Sequence, residues 1–505
     1  MSPAPGSAHW HGVIDIGSNS VRLVIYDVYG RALLPHYNEK VMAGLGEGLA
    51  ETGHLSTTGR ATAAKALARF KAVLDGLAVK PARVRGVATA AVREASDGAA
   101  FLAEIAETLG LPMEAISGAE EARLSALGVA AGFHAPTGLI GDLGGSSLEL
   151  AKLHDGWVEK GETHMLGPLA IMPGDPMDLD MPSLRQRVRK RLKQSDVLPG
   201  IGGRFFMVGG AWRALAKLHM DLDDYPLRQL HAYRLDRKAV ALINEVALST
   251  DAVARQRLAK ASQRRVKVLP YAAIVLSEVF EIGGFEEIVV SSYGLREGVI
   301  QDQLAFDGPS DALLDGIALY LRLQEPRRAF GEALNTWVQP AMRVGQDLLG
   351  DTLVMPRLIA AACLLADSGA RFHPDNRAYM AYDQALRGPY SNIGHAERAF
   401  IALAVGRRYA RQFEPRARME PLLSKHQVKM ARQLGACMRL GTVYSGRSAQ
   451  LLAKTRLYCE PGYLVFEVPE SDRAMVSHAV ERRLSTAADT LGLTPQIRNR
   501  STAEA

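Results

Sequence analysis

The sequence predicts an α/β protein in which two mixed α/β segments enclose a cleft and are followed by a mostly helical module. Three observations lead to this prediction. A strand–turn–strand motif occurs twice, at residues 12–27 and 139–153. Strand-like and helix-like stretches alternate as far as about residue 303. After Pro309 the strand signals fade, and Ala/Leu/Arg-rich helical periodicity continues to about residue 456.

The two copies of the motif align residue by residue. GVIDIGSNSVRLVIYD starts at Gly12 and LIGDLGGSSLELAKL starts at Leu139, so Asp15 falls on Asp142. Each copy is an apolar run, an acid, a Gly/Ser-rich turn and a second apolar run, which is typical of a β-hairpin. Glycine leaves room for a ligand, and Ser and Asn add polar donors. Two such turns facing each other predict a cleft for phosphates and a divalent cation.

The first segment, residues 1–132, is expected to form a mixed α/β domain. Alternating apolar stretches predict its strands, and 3.6-residue periodicity predicts its helices. The strands are expected around Val13–Tyr26, Arg31–Lys40, Val84–Thr89 and Met113–Ile116, and the helices near Thr58–Gly76, Gly98–Leu109 and from about Ala119 onward.

The second segment, residues 133–305, repeats this theme, and the third, residues 306–505, does not. In the second, strands are expected at Leu139–Gly141, Leu148–Leu153, Phe205–Val208 and Glu287–Ser291, and helices at Ser183–Ser195 and Lys238–Leu248. The third segment is predicted to be helical until a final strand, Tyr463–Pro469, and a final helix, Asp472–Leu491.

Length and composition restrict the possible classes of protein. A chain of 505 residues predicts two to four domains, and 48% hydrophobic with 23% charged residues is ordinary for globular proteins. The polar start, Met1–Trp10, predicts no signal peptide, and no apolar run approaches the roughly 20 residues of a membrane span. The three cysteines lack metal-ligand spacing, so we expect reduced thiols in a cytoplasmic protein.

Basic residues are concentrated in two regions. Residues 401–456 contain twelve Lys/Arg and two acids, and residues 185–193 contain six Lys/Arg. Either region could be a solvated helix face or an RNA-binding surface. A track for a polyanion is favoured, because the same chain carries a predicted phosphate cleft.

Carboxylates beside the two turns predict a magnesium site. Hydrolysis of a phosphoanhydride needs charge neutralisation and a positioned water. Asp15 and Asp142 precede the turns, and alternation brings Glu149 back to one face of its hairpin. Mg²⁺ prefers a few carboxylates together with waters and phosphate oxygens, so these three are the predicted ligands. Each could instead be a turn cap or a surface charge.

The turns themselves are predicted to contact phosphate. Their contacts should come from the backbone N–H groups of Ser18, Asn19, Ser20, Gly144, Gly145 and Ser146. Arg93 is a candidate clamp, because a planar guanidinium can hold two phosphate oxygens at once, although it could also form a salt bridge on a helix face. Arg22 occupies the position in the first copy that Glu149 takes in the second.

The duplicated motif resembles the phosphate-binding loops of the actin-like superfamily. Its residue sequence more specifically resembles that of the exopolyphosphatase and guanosine pentaphosphate phosphohydrolase family. Further matching segments lie in the same order along residues 12–300: VATAAVREA, ISGAEEARL and SYGLREG, starting at Val87, Ile116 and Ser292. The family usually has a third glycine where Ser146 stands. The resemblance implies two actin-like (ribonuclease H-like) domains with a cleft between them, and it implies that Glu121 is the general base.

The helical module contains a fragment that resembles the HD-type phosphohydrolase motif. AAACLLAD ends at Asp367, and His373 and His395 follow. Active HD enzymes have a histidine before the aspartate, whereas Ala366 stands there in this chain. Loss of a metal ligand normally loses the metal, so we expect an HD-like module without catalysis that binds a polyanion or forms a homodimer.

The leading hypothesis is a Mg²⁺-dependent exopolyphosphatase that releases terminal orthophosphate from inorganic polyphosphate. The same motifs fit hydrolysis of guanosine pentaphosphate, an alarmone of the stringent response. A more remote alternative is an actin-like ATPase or sugar kinase, for which Gly209-Gly210 could serve as a nucleotide loop. A third is a non-catalytic polyanion or RNA binder that uses its Arg-rich module.

Overall fold

The computed structural model describes residues 9–171, 180–304, 310–322, 326–342, 355–415 and 422–500. The chain divides into two compact units, Ala8–Pro309 and a unit that contains Ser310–Ala505. The predicted domain borders at 132/133 and 305/306 remain predictions. In the described residues, we find no helix with the length and apolar character needed to cross a membrane.

The first half of the N-terminal unit is built on a five-stranded sheet. Its strand order is β3-β2-β1-β4-β5, in which β1 pairs antiparallel with β2 and parallel with β4. The strands are β1 Trp10–Ile16, β2 Ser20–Tyr29, β3 Ala32–Met42, β4 Val84–Ala88 and β5 Met113–Ala115. The helices are α1 Leu49–Thr52, α2 Thr57–Gly76, α3 Ala90–Glu94, α4 Gly98–Leu109 and α5 Gly118–Gly132.

The second half is built on a six-stranded sheet of order β10-β11-β9-β6-β7-β8. Its strands are β6 Gly138–Leu143, β7 Leu148–His154, β8 Trp157–His164, β9 Arg204–Val208, β10 Arg234–Leu235 and β11 Glu287–Val290. Its helices are α6 Pro168–Ile171, α7 Met181–Leu192, α8 Gly210–Leu222, α9 Arg237–Leu248, α10 Ala252–Ala261, α11 Leu269–Gly283 and α12 Leu295–Gln303. Again the first hairpin, β6–β7, is flanked by an antiparallel strand and a parallel strand.

The two halves therefore share one topology, as the duplicated motif predicts. The hairpin registers also match, since Asp15 lies opposite Arg22 and Asp142 lies opposite Glu149. Alternating apolar residues of the hairpin strands face buried cores.

The sequence does not predict strand β8. Its burial pattern explains the omission, because Trp157–His164 contains no fully buried residue.

The C-terminal unit is mostly helical but contains a small sheet. Its helices are α13 Ala312–Leu321, α14 Arg327–Met342, α15 Met355–Leu364, α16 Arg377–Arg387, α17 His395–Tyr409, α18 Lys425–Ser445, α19 Ala449–Ala453 and α20 His478–Leu491. The sheet has the order β12-β13-β14, with β12 Arg456–Glu460, β13 Tyr463–Pro469 and β14 Thr494–Arg500. The predicted final helix starts at His478 rather than at Asp472, because a 3-10 helix, Glu470–Met475, precedes it.

Candidate active site

A cavity of about 440 Å³ in the N-terminal unit is lined by both Gly/Ser turns. Residues from both sheets and from the starts of α5, α8 and α12 contribute to its wall. Four acids and six basic residues line it: Asp15, Glu121, Asp142, Glu149, Arg22, Lys40, Arg213, Arg264, Arg265 and Arg296. The cavity thus gathers most of the residues that the sequence singles out.

The two turns have the same internal geometry and contact each other. The N–H of Gly17 donates to the carbonyl of Ser20 at 3.0 Å, and the N–H of Gly144 donates to the carbonyl of Ser147 at 2.9 Å. The hydroxyls of Ser18 and Ser146 lie 2.9 Å apart, so a hydrogen bond between these serines links the two turns.

Backbone donors at the turns are available for a ligand. Within the described part of the chain, no hydrogen bond occupies the N–H groups of Ser18, Asn19, Gly145 and Ser146. Several unpaired N–H groups converging on one space favour an anion. Ser20 and Gly144 also line the cavity, so all six predicted turn residues are brought together there.

Two carboxylates, half-buried Asp142 and buried Glu149, lie side by side on the β6–β7 hairpin. Asp142 accepts a hydrogen bond from the hydroxyl of Ser125 at 3.1 Å, and Glu149 accepts one from Thr163 at 3.1 Å. Burial raises the pKa of Asp142, which Arg213 opposes. Burial, together with the negative charges of Glu121 and Asp142, raises the pKa of Glu149 well above its usual range. A cation placed here would relieve both the burial cost and the repulsion.

Asp15 differs from these two acids because it already has a cationic partner. The guanidinium of Arg296 lies 2.8 Å from its carboxylate. Burial alone would lower the pKa of Arg296, but the carboxylates of Glu297 and Asp15 hold that pKa above its usual range. A metal bound by Asp15 would therefore compete with Arg296 for the same carboxylate.

Glu121 lies in the first turn of α5, which begins after Ser117. The Ser117 hydroxyl accepts the N–H of Glu120 at 3.1 Å and so caps the helix. Glu121 is 9% exposed, and Arg93 donates to its carboxylate at 3.3 Å. Burial raises the pKa of Glu121 to about 7, against the opposing effect of Arg93. A carboxyl with this pKa can accept a proton near neutral pH.

Arg93, the predicted phosphate clamp, contacts the start of α5. One of its terminal nitrogens donates both to Glu121 and to the carbonyl of Ile116, at 3.0 Å for the latter. Arg93 is not among the residues that line the cavity. Its contact with phosphate remains a prediction, and its observed contacts orient Glu121.

Of the six cations that line the cavity, the sequence analysis named only Arg22 as a site residue. Arg296 lies inside the SYGLREG segment, and Arg213 follows the Gly209-Gly210 pair. Both arginines could therefore have been identified from these neighbouring motifs. Lys40 is opposite Arg22 on β3, where nothing in the sequence marks it. Burial lowers the pKa of Lys40 to about 8, with Arg265 adding to the effect, and burial lowers the pKa of Arg213 to about 10. Uncompensated positive charge thus collects in the cavity.

The loop before α8 depends on a glycine. Gly209 has a φ of 111°, and a Cβ there would lie 2.6 Å from the carbonyl oxygen of Leu143. Only glycine combines this backbone conformation with such a close approach. The turn brings the start of α8, and with it Arg213, to the cavity.

The donor set fits a magnesium ion that is only partly enclosed by protein. Among the described residues, no three His, Cys, Asp or Glu side chains come close enough to bind a metal by themselves. Asp142 and Glu149 nevertheless present two neighbouring carboxylates, and Mg²⁺ commonly retains waters and phosphate oxygens as further ligands.

The HD-like fragment in the C-terminal unit surrounds its aspartate with arginines. Asp367 lies 2.9 Å from Arg447, 3.7 Å from Arg408 and 3.9 Å from Arg327. His373 is exposed and lies 3.5 Å from Asp375, while His395 starts α17 and is buried. A carboxylate held by three guanidinium groups is a poor metal ligand.

Comparison with known proteins finds a matching family model for each of the two parts of the chain. Residues 24–306 match the model of the Ppx/GppA phosphatase family, and residues 346–495 match a model described as the exopolyphosphatase C-terminal domain. Exopolyphosphatase 1 of Mycobacterium tuberculosis (strain ATCC 25618 / H37Rv) is 25% identical over 327 residues, which are 61% of this chain and 92% of that protein.

Solved structures agree with the family match. The Ppx/GppA family member of Aquifex aeolicus has a TM-score of 0.51 and 26% identity, over 58% of this chain and 97% of its own. An exopolyphosphatase from Cytophaga hutchinsonii has a TM-score of 0.51 over 59% of this chain and all of its own, but at 22% identity it supports only the fold. The N-terminal unit has the α/β, actin-like fold of these proteins, and the family match covers more than half of the sequence. The chain belongs to the Ppx/GppA phosphatase family.

Proposed function

We propose that this chain is an exopolyphosphatase that hydrolyses the terminal phosphoanhydride of inorganic polyphosphate and releases orthophosphate. The observation that carries the proposal is the lining of the cavity. Six basic side chains and two sets of turn N–H groups surround it, and no aromatic ring is among its described lining residues. A phosphate chain needs many cations and no ring, whereas a guanine base is commonly recognised by stacking. The lining therefore favours polyphosphate over guanosine pentaphosphate.

Glu121 is the proposed general base. It orients a water toward the terminal phosphorus, and it takes a proton from that water as the new P–O bond forms. The bond between that phosphorus and the bridging oxygen breaks, and the shortened chain leaves with the bonding electron pair. The pKa of about 7 keeps a useful fraction of the carboxylate deprotonated at neutral pH. Arg93 holds the carboxylate in place and is its positioning residue.

The basic side chains and turn donors neutralise charge on the phosphate chain. Ser18, Asn19, Gly145 and Ser146 would bind phosphoryl oxygens through their N–H groups, with Ser20 beside them. The predicted contact through the N–H of Gly144 is not part of this set, because that N–H donates to the carbonyl of Ser147. Arg22, Arg213 and Arg296 add positive charge where charge develops on the leaving oxygen. Because these groups are held by the fold, little reorganisation accompanies the reaction.

Magnesium is the proposed cofactor. Asp142 and Glu149 would hold it, with Asp15 contributing through water because Arg296 occupies its carboxylate. When bound, the ion would supply further charge neutralisation at the phosphoryl group.

For the C-terminal unit we propose an HD-like module without catalysis that holds the distal part of long chains. The arginines around Asp367 and the exposed position of His373 support the loss of a metal site. We also propose that the chain forms a dimer through this module and that the protein is located in the cytoplasm.

The test measures orthophosphate release with Mg²⁺ from long-chain polyphosphate and from guanosine pentaphosphate in parallel. Release mainly from polyphosphate, with intact long chains present beside the product, supports a processive exopolyphosphatase. Release mainly from guanosine pentaphosphate would replace it with an alarmone hydrolase. Binding of ATP without release from either substrate would contradict both.

A further inference from the structure

Two cavities in the C-terminal unit share a pair of arginines. The larger, of about 560 Å³, is bordered by α16, α17, α18 and α20, and the smaller measures about 230 Å³. Arg439 of α18 and Arg483 of α20 line both cavities. Arg408 and Arg377 also line the larger one, whereas Arg407, Arg411 and Arg432 line the smaller.

Arg408 is the most informative of these residues because it is buried without full pairing. It is 7% exposed, and two of its guanidinium nitrogens, Nε and one Nη, make no hydrogen bond. Its nearest acid, Asp367, is 3.7 Å away and lies closer to Arg447. The guanidinium of Arg408 also packs over the ring of Tyr409, 4.0 Å from the ring centre. Burying a charged donor without hydrogen bonds is costly, so Arg408 favours an anion in the cavity that it lines.

Its neighbours show the same excess of positive charge. The Nε atoms of Arg407, Arg432 and Arg483 are buried without a hydrogen-bond partner. Glu414 forms ion pairs with Arg407 and Arg432. For Arg439 and Arg483, the described chain contains no ion pair. Burial lowers the pKa of Arg439 to about 10, and the nearby charges of Arg483, Arg408 and Arg411 contribute.

We propose that this arginine cavity is a second anion site, separate from the catalytic cavity, that binds a compact ligand with two or more phosphate groups. Several planar guanidinium forks aimed into one space match a cluster of phosphate oxygens better than a single carboxylate. The larger cavity has the size of an ordinary small-molecule site. Its volume of about 560 Å³ favours a compact anion over a long polymer.

The ligand has two possible sources that share this chemistry. One is an inorganic di- or triphosphate, and the other is the phosphate group of a nucleotide. Tyr379, Tyr409 and Phe413 border the larger cavity, so a nucleotide ring would find an aromatic surface beside the arginines. The experiment must therefore compare both kinds of ligand.

The first test uses the unmodified full chain and needs no folded variant. Phenylglyoxal labels accessible arginines, and mass spectrometry measures the labelling of Arg439 and Arg483 with and without methylenediphosphonate. This probe carries two phosphorus groups and resists hydrolysis. We expect the labelling rate of both arginines to fall at least fivefold, while exposed Arg482 on the same helix is unaffected. Equal labelling with and without the probe would overturn the proposal.

The second test removes the paired arginines and counts binding sites by calorimetry. The double variant Arg439→Gln/Arg483→Gln is compared with Arg482→Gln, which neutralises the neighbouring exposed residue. We expect one methylenediphosphonate site per chain to weaken at least tenfold in the double variant and to persist in the control. An unchanged isotherm in a folded double variant would contradict the site. Calorimetry counts the site in the catalytic cavity separately. A loss of binding in that cavity would therefore not be confused with a loss of binding in the arginine cavity.

Titration with a non-hydrolysable guanosine diphosphate analogue then distinguishes the two sources. Binding at least tenfold tighter than that of methylenediphosphonate, lost in the same double variant, identifies a nucleotide site. Equal or weaker binding identifies an inorganic phosphate site. Failure of both probes to bind at the arginine cavity would overturn the proposal.

Discussion

At the scale of single residues, two neighbouring glutamates have different surroundings. Glu121 lines the candidate active-site cavity beside Arg93, whereas Glu120 lies outside it and forms an ion pair with Arg123 at 2.7 Å. Both start the same helix, so their local backbone is nearly identical. This pair makes a matched comparison possible.

We expect Glu121→Gln to lower kcat by about 10²–10⁴-fold, because the amide cannot accept the proton of the attacking water. KM should change little, since the shape of the cavity is retained. Glu120→Gln is the control and should keep nearly the wild-type rate. Steady-state orthophosphate release measures both variants. A wild-type rate in Glu121→Gln would remove this residue from the mechanism.

The same glutamate also predicts how stability depends on pH when divalent cations are absent. Its pKa rises from 4.5 to about 7 on folding, so the folded state binds the proton more tightly than the unfolded state. The resulting stability is fully present below pH 4.5 and is lost as pH rises through 7. In chelator, we expect the Tm advantage of Glu121→Gln over wild type to increase from pH 5 to pH 8. Parallel Tm curves for the two proteins would contradict this prediction.

Much of the candidate site could be predicted from local sequence, and the rest depends on distant contacts. Asp142 and Glu149 share one hairpin, so alternation sufficed to bring them together. The pairing of Asp15 with Arg296 joins residues 281 positions apart, and no local pattern specifies such a contact. The placement of Arg93 against Glu121 is a similar case, because the motif marked both residues but not their contact.

At the scale of elements, the site depends on the close packing of α5 against α12. These helices carry Glu121 and Arg296 in their first turns. A Cβ on Gly128 would lie 1.9 Å from the carbonyl oxygen of Gly294, and one on Gly298 would lie 1.7 Å from that of Leu124. The backbones of α5 and α12 are therefore in direct contact, and no side chain fits at Gly128 or Gly298.

We expect Gly298→Ala to lower the free energy of unfolding by about 1–3 kcal/mol, the usual cost of overpacking. Activity should fall as well, because the distance between Glu121 and Arg296 changes. Gly76→Ala at the end of α2 is the control, since no atom lies within 4 Å of the position that its methyl group would take. Urea unfolding of both variants measures the difference. Equal stabilities would show that α5 and α12 can separate without cost.

The strands that the sequence did not predict are polar or only weakly alternating, and one of them also has a distant partner. β14 pairs in parallel with β13 although α20 lies between them in the chain, and the strand Thr494–Arg500 is polar. β12 has only one fully buried residue, so its alternation is weak. By contrast, the strong periodicity of α2 and α4 predicted both helices within a residue of their observed bounds.

At the scale of the whole molecule, the chain combines a part that matches nearly the whole of a smaller relative with a further module. The 58% of this chain that matches the Aquifex aeolicus structure covers 97% of that protein. In such relatives, the counterpart of the N-terminal unit stands nearly alone. The C-terminal unit should therefore alter how a substrate is held rather than whether it is cleaved.

Deleting residues 310–505 tests this division of roles. We expect kcat/KM for long polyphosphate to fall much more than kcat/KM for tripolyphosphate, because only a long chain can gain avidity from additional basic contacts. Raising the salt concentration is the control: it should reduce the long-chain preference of the full chain and have less effect on the truncated one, since phosphate contacts release counterions. An equal loss for both substrates would instead assign the C-terminal unit to folding or dimerisation of the catalytic unit.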